Sequence, residues 1–545
     1  MSPPGQAQLQ LYLRETDAAL RAQDTERALR IADEATSRGL EHPNLLTLAA
    51  HRRMHAGDAG SALVLLHRAR ALSPRSVDVL NALGICLSQL GRAREALTAF
   101  DAALRIAPGT AMLRFNKALA YEKLSELDHA RRELESTVSL MPGHYEALAW
   151  LATLAAQRND GAQARDYAAR ALALNPRLHA ATLALANVDV AERKFDDAIA
   201  RVTPLLSDPE LSPVNRAFAQ SLLGDALDGL DRPAEAFAAY AASKAAMRAY
   251  YAPGFAALGN ESAIERVSRL AGYFRNADEG LWRARKGEPP RNPRTHAFLV
   301  GFPRSGTTLL EQVLASHPGV EAMEERDALS EAVTEFIAPM DGLDRLARIT
   351  ADDIGRLRKA YWRVAGEFGH AGDRDVFLDK MPLNSVLLPL VARLFPEAKI
   401  VFALRDPRDV LLSCFRRRFG MTAQMFELTS LEGAAAYYDA VMGLAQIYRD
   451  KLGLDLSETR HEDLLQDFEA ETRRLCAFLG LDWRLEMRNF AIRAQTSTID
   501  TPSGAQVARG LTREGAGQWR RYAAELAPVL PTLAPWVKRF GYPED

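Results

Sequence analysis

The chain has 545 residues, more than one domain usually holds, so at least two domains are expected. Apolar residues make up 48 %, charged residues 25 % and the net charge is −2, an ordinary globular composition with no global field favouring nucleic acid or an anionic membrane. Cys86, Cys414 and Cys476 are too far apart for a disulfide framework or a cysteine zinc site, no apolar run reaches membrane-spanning length, and the first residues lack a basic-then-apolar leader, so a cytoplasmic protein is expected.

The first half repeats itself. Pro74, Pro108, Pro142 and Pro176 recur every 34 residues, and Ala28, Ala62, Ala96, Ala130, Ala164 and Ala198 keep the same step. Gly84, Ala118, Ala152 and Ala186 form a third small-residue register twelve positions before the alanines. Small residues on two successive helices allow close packing, and the proline closes the second helix. The unit running through Leu83, Gly84, Ala96, Phe100, Ala103 and Pro108 resembles the tetratricopeptide repeat. That resemblance covers roughly residues 9–250: about six units plus a seventh, offset by an insertion, with Gly224 and Ala236 in register. It implies an all-α solenoid whose concave face binds a protein or peptide; a scaffold with no ligand of its own is the alternative. The domains expected are a repeat array at 1–250, a connecting helix and linker at 251–294, with "ARKGEPPRNPRTH" (284–296) as the linker itself, and a second domain at 295–545.

The second domain opens with "FLVGFPRSGTTLL". Phe298–Val300 suits a buried parallel strand, Gly301 to Gly306 a loop that wraps an anion with backbone N–H groups, and Thr307 and Thr308 the start of a helix whose N-terminus favours negative charge. Thr307 stands where a nucleotide triphosphatase loop carries lysine. Downstream, "AKIVFALRDPRDVLLSCFRRRF" (398–419) has the same strand-then-helix form, with Arg405 at the strand end and Ser413 eight residues on. Ligands bind beyond the carboxyl ends of parallel strands, so two such anchors suit a ligand with two separated phosphates. Arg416, Arg417 and Arg418 read as a basic rim.

"PRSGTT" and "LRDPRDVLLS" resemble the nucleotide anchors of sulfotransferases, with "LDKMPLN" (378–384) and "RHEDLLQDFEAETRRLCAFLGLDW" (460–483) in further agreement over roughly 295–540. The resemblance implies an α/β domain with a parallel sheet and a P-loop-like site for 3′-phosphoadenosine 5′-phosphosulfate, without a metal. It assigns Arg304, Ser305, Gly306, Thr307 and Thr308 to the 5′-phosphosulfate and Arg405 and Ser413 to the 3′-phosphate, with Ser503 and Arg509 as further contacts. Within the family the chain is similar to protein-tyrosine sulfotransferases, whose glutamate pair matches Glu324 and Glu325 in "HPGVEAMEERD", although Met323 replaces a glycine and His461 a common tyrosine. Glu324 is then the catalytic base, and Arg304 and Lys380 stabilise the transferred group. Which of Glu324 and Glu325 is the base stays open, with His317 as a rival. A saccharide or lipid acceptor and a non-catalytic scaffold also stay open, as does a homodimer, while the absent lysine at Thr307 disfavours a kinase.

Overall fold

A computed structural model describes residues 3–283, 293–367, 374–496, 507 and 509–544. Most of the linker expected at 284–296 lies outside them. The chain divides into two compact units, Met1–Glu192 and Arg193–Asp545.

The first unit is a run of paired helices. Val77–Gln89 and Ala93–Ile106 form one pair, Ala111–Lys123 and Leu127–Leu140 the next, and Tyr145–Gln157 and Gly161–Leu174 a third. The small residues are there because the helices touch. Ala62, Ala96 and Ala164 are fully buried, and a Cβ on Gly84 would lie 2.5 Å from the ring of Phe100. Pro108, Pro142 and Pro176 each fall just beyond a helix end, in the turn that starts the next pair.

The second unit begins with helices of the same kind. Pro213–Gly229 and Pro233–Leu258 pack through Gly224, where a Cβ would meet the ring of Tyr240 at 2.5 Å, repeating the relation of Gly84 to Phe100. These helices share one apolar core with the sheet that follows. Leu227, Ala236 and Tyr240 belong to the cluster that holds Phe298, Val300, Ile400 and Phe402. Helices with the repeat-like contact of Gly224 and Tyr240 thus lie in the unit Arg193–Asp545.

The sheet has five parallel strands in the order β2-β3-β1-β4-β5: β1 Thr295–Gly301, β2 Val320–Glu324, β3 Val376–Lys380, β4 Lys399–Leu404 and β5 Asp455–Arg460. The three central strands are buried on both faces, hence their near-continuous apolar sequences. Alternation splits them between two cores: Phe298, Val300, Ile400 and Phe402 on one side, Ala297, Leu299, Val401 and Ala403 on the other. Because all pairings are parallel, all five carboxyl ends lie along one edge.

Candidate active site

Each strand leads to a candidate site residue at that edge. β1 runs into the loop before the helix Thr307–Ala315, β2 ends on Glu324 with Glu325 next, β3 ends on Lys380, and Arg405 and His461 directly follow the ends of β4 and β5. One cavity is lined by Arg304, Gly306, Thr307, Thr308, Glu325 and Arg405.

The loop is held by close approaches. A Cβ on Gly301 would lie 2.6 Å from the carbonyl oxygen of Ala403 on β4, so only glycine fits. Gly306 has φ 93°, and a Cβ there would sit 2.8 Å from Nδ1 of His461. Arg304 itself adopts φ 71°, a left-handed conformation uncommon for a side-chain-bearing residue and frequent at ligand-binding turns. Ser305, Thr307 and Thr308 are buried.

The two anchors are joined. Arg304 donates from Nε to Ser413 Oγ at 2.9 Å, and Arg405 donates from Nη1 to the Arg304 carbonyl at 3.1 Å. Arg405 also donates from Nη2 to Gly515 O. Burial, then the charges of Arg417 and Arg405, push the Arg304 guanidinium down to about 9. Arginine keeps its proton at neutral pH, so three crowded cations mark a place that favours an anion. Burial, with Arg405 close by, drives His461 down to about 3, leaving it neutral. A short Asp409 carboxylate accepts from the N–H groups of Gly517 (2.6 Å) and Trp519 (2.9 Å) and fastens the late segment against β4's end.

Beside these cations lies a cluster of opposite character. Lys380 is fully buried, with Nζ 2.8 Å from Glu325 Oε1, 3.2 Å from Glu311 Oε2 and 3.6 Å from Glu324 Oε1. Burial opposes its charge, but Glu311, Glu325 and Glu324 together outweigh burial and hold its pKa above the usual lysine range. Three carboxylates on one ammonium leave excess negative charge. The most buried of them, Glu311, is pushed up to about 7 by burial, against the pull of Lys380 and with Glu324 adding to the rise. The preceding residue, Asp379, points to the opposite face, where Tyr361 OH donates to it at 2.7 Å.

The sequence-predicted residues fall into three groups. Arg304, Gly306, Thr307, Thr308 and Arg405 meet in the cavity with Ser413 bonded to Arg304, while Lys380 and Glu324 meet in the adjoining cluster. Of the glutamate pair, Glu325 lines the cavity. Arg509 is exposed and pairs with Glu514 at 3.4 Å; Ser503 lies outside the described residues. His317 has both ring nitrogens committed: Nδ1 accepts from Gly319 N–H at 3.0 Å, so Nε2 carries the proton and donates to Asp482 O at 2.8 Å. With both nitrogens so held, the ring ties the turn after the loop helix to the segment at Asp482. Arg416 and Arg418 are no solvent rim either: Arg416 pairs with Asp228, and Arg418 lies 3.5 Å from the ring centre of Phe218. Glu311 was not picked out from the sequence, where a lone acidic residue within the apolar run "TTLLEQVL" was its one signal.

Residues 297–484 match the model described as the sulfotransferase family, and residues 53–119 and 115–178 match two tetratricopeptide-repeat models. The chain joins tetratricopeptide repeats to a sulfotransferase-family domain. An uncharacterized protein of Aquifex aeolicus is 26 % identical over 284 residues, 48 % of this chain and 34 % of that one. Protein-tyrosine sulfotransferase A of Caenorhabditis elegans is 24 % identical over 264 residues, 45 % of this chain and 66 % of that enzyme. The chain thus spans about a third of the first relative's length and just under two thirds of the second's. A tetratricopeptide repeat protein of Parabacteroides merdae aligns with 44 % of this chain and 92 % of its own at 15 % identity, with a TM-score of 0.35. Among the described residues no helix is long and apolar enough to cross a membrane.

Proposed function

We propose that the sulfotransferase-family domain transfers a sulfuryl group from 3′-phosphoadenosine 5′-phosphosulfate to a phenolic hydroxyl, that of a protein tyrosine. The observation that carries this reading is the junction of the two anchors. Arg304 reaches Ser413, and Arg405 reaches the Arg304 carbonyl, so anion sites at the ends of β1 and β4 open on one cavity, as a doubly phosphorylated nucleotide requires.

The loop N–H groups and the N-terminus of the helix Thr307–Ala315 bind the 5′ end of the donor. Arg405 and Ser413 hold the 3′-phosphate. Lys380 and Arg304 stabilise charge on the sulfuryl oxygens and the leaving phosphate. The glutamate pair takes the acceptor proton. A phenol has a pKa of about 10, so a base is needed at neutral pH. Glu324 is the base by family resemblance, and Glu325, facing the cavity, is its rival. An aromatic acceptor is supported by the wall that Met381, Leu383, Phe419 and Met425 present to the cavity, which favours an apolar ring over a saccharide. The repeats bind the acceptor protein or its carrier, and the protein works in the cytoplasm.

The test is calorimetry with 3′-phosphoadenosine 5′-phosphate against ATP, followed by radiolabelled sulfate transfer to tyrosine-containing peptides and to saccharides. Preferential ATP binding would overturn the donor assignment. Transfer to saccharides alone would overturn the acceptor.

A further inference from the structure

The helix Pro407–Arg416 ends where the chain turns extended at Arg417, with φ −94° and ψ 145°. The last carbonyls of a helix have no partner within it. Here the partner is Lys244, from the repeat-like helix Pro233–Leu258. It is 7 % exposed, and its Nζ donates to Cys414 O at 3.2 Å and to Arg417 O at 2.6 Å. One ammonium therefore ties the end of the helix to the residue beyond it and fixes the angle at which the chain leaves. Nζ also lies 5.6 Å from the ring centre of Phe419. Neighbouring contacts extend the grip. Arg416 pairs with Asp228, and Arg248 lies 4.7 Å from the ring centre of Phe426 and donates to Thr429 Oγ1 at 3.2 Å.

The segment held in this way is the one that furnishes the candidate site. Ser413, one residue before Cys414, accepts from Arg304. The Arg417 charge acts on the same guanidinium. Phe419 and Met425 line the cavity. A contact needed only for packing would be served by an apolar side chain, since burying an ammonium is costly. A buried lysine aimed at two carbonyls instead specifies where the turn lies.

We infer that Lys244 is a positioning residue for the donor site, so that a repeat-like helix sets the place of Ser413 and of the Arg417–Phe419 wall. The inference rests on the donor reading above. It makes the helix pair Pro213–Gly229 and Pro233–Leu258 part of the transferase rather than an appendage.

The experiment uses the full chain with Lys244→Met, Lys244→Gln and Lys244→Arg, and titrates 3′-phosphoadenosine 5′-phosphate and adenosine 5′-phosphate by calorimetry, with a thermal melt of each variant. Loss of the ammonium should weaken the bisphosphate about tenfold or more, the scale of one charge-assisted hydrogen bond. The monophosphate, which does not call on Ser413, should change by less than about threefold by the same scale. Lys244→Arg should restore most of the difference. Lys244→Gln keeps a donor and covers the case in which Lys244→Met does not fold. Equal weakening of both nucleotides, or wild-type affinity for the bisphosphate in any folded variant lacking the ammonium, would overturn the inference. If the wild type binds neither nucleotide, the donor reading falls and takes this role of Lys244 with it; if the wild type binds and the variants match it, only the role of Lys244 falls.

Discussion

Lys380 Nζ lies 2.8 Å from Glu325 Oε1 and 3.6 Å from Glu324 Oε1, so the two glutamates at the end of β2 share one buried cation unequally. The register explains it: Glu324 is paired with Lys380 across the strands, and the chain leaves the sheet at Glu325, whose N–H donates to the Lys380 carbonyl at 2.9 Å. Glutamine keeps the shape and removes the basicity. The variant that removes the base should lose turnover by about 10²–10⁴ with donor affinity nearly unchanged. The expected outcome is that loss in Glu324→Gln, with Glu325→Gln milder. The reverse order moves the base to the cavity-facing residue. Steady-state rates alongside nucleotide titrations decide it, and full activity in both variants would remove the pair from the chemistry.

Glu311 makes the chain's stability depend on pH. Its ordinary value is 4.5 and the fold raises it to about 7, first through burial. Between those values the folded chain keeps a proton that the unfolded chain has released, so this group makes stability fall as pH rises through the window and stay lower above it. Glu311→Gln carries the neutral form at every pH. Its melting temperature should therefore gain on the wild type between pH 5 and pH 8, by a few degrees for a chain of this size. An offset that is the same at both pH values would show that Glu311 does not hold its proton in the fold.

How much of this was legible in the sequence follows from the range of each signal. The repeats, the loop and the strand end at Arg405 are local patterns with fixed spacing, and the structure carries them as read. Parallel pairing, which brings five strand ends to one edge, follows from two strand-loop-helix signatures and the general behaviour of such sheets. Long-range electrostatics was not legible. Nothing near Glu311 in the sequence announces Lys380, nearly seventy residues on. The arginines after Ser413 look like a solvated run because their partners, Asp228 and Phe218, lie almost two hundred residues earlier. The helix pair Pro213–Gly229 and Pro233–Leu258 keeps the repeat spacing while sharing the core of the sheet, so spacing alone does not show which core a helix joins.

The 3′-phosphate assignment makes a selective prediction. Arg405 holds the loop carbonyl of Arg304 as well as the proposed phosphate, so Arg405→Ala should weaken 3′-phosphoadenosine 5′-phosphate far more than adenosine 5′-phosphate. The loss expected is roughly 1.5–3 kcal/mol, the worth of a hydrogen bond to a charged group. Ser413→Ala should do the same more mildly, since a neutral hydroxyl contributes about 0.5–1.5 kcal/mol. Equal losses for both nucleotides in Arg405→Ala would place that arginine at the 5′ end of the donor instead.

The sulfotransferase-family domain should need the helices that precede it to fold. A fragment starting at residue 251 keeps the sheet but loses Lys244, Tyr240 and Asp228. Cys414 and Arg417 would keep carbonyls without their ammonium, Arg416 and Arg521 would lose their shared carboxylate, and Leu227, Ala236 and Tyr240 would leave the core they share with Phe298 and Phe402. Breaking a buried ion pair by removing one partner costs about 3–5 kcal/mol, a large share of the 5–15 kcal/mol that usually holds a folded protein together. A fragment starting at residue 193 keeps all of these contacts. It should fold cooperatively and bind 3′-phosphoadenosine 5′-phosphate within about threefold of the full chain, well under the tenfold that 1.4 kcal/mol represents. The fragment from 251 should be insoluble or melt without a cooperative transition. Thermal melts and nucleotide titrations on the two fragments give the answer. A stable, binding fragment from 251 would show that the helices of residues 193–250 lie outside the folding unit.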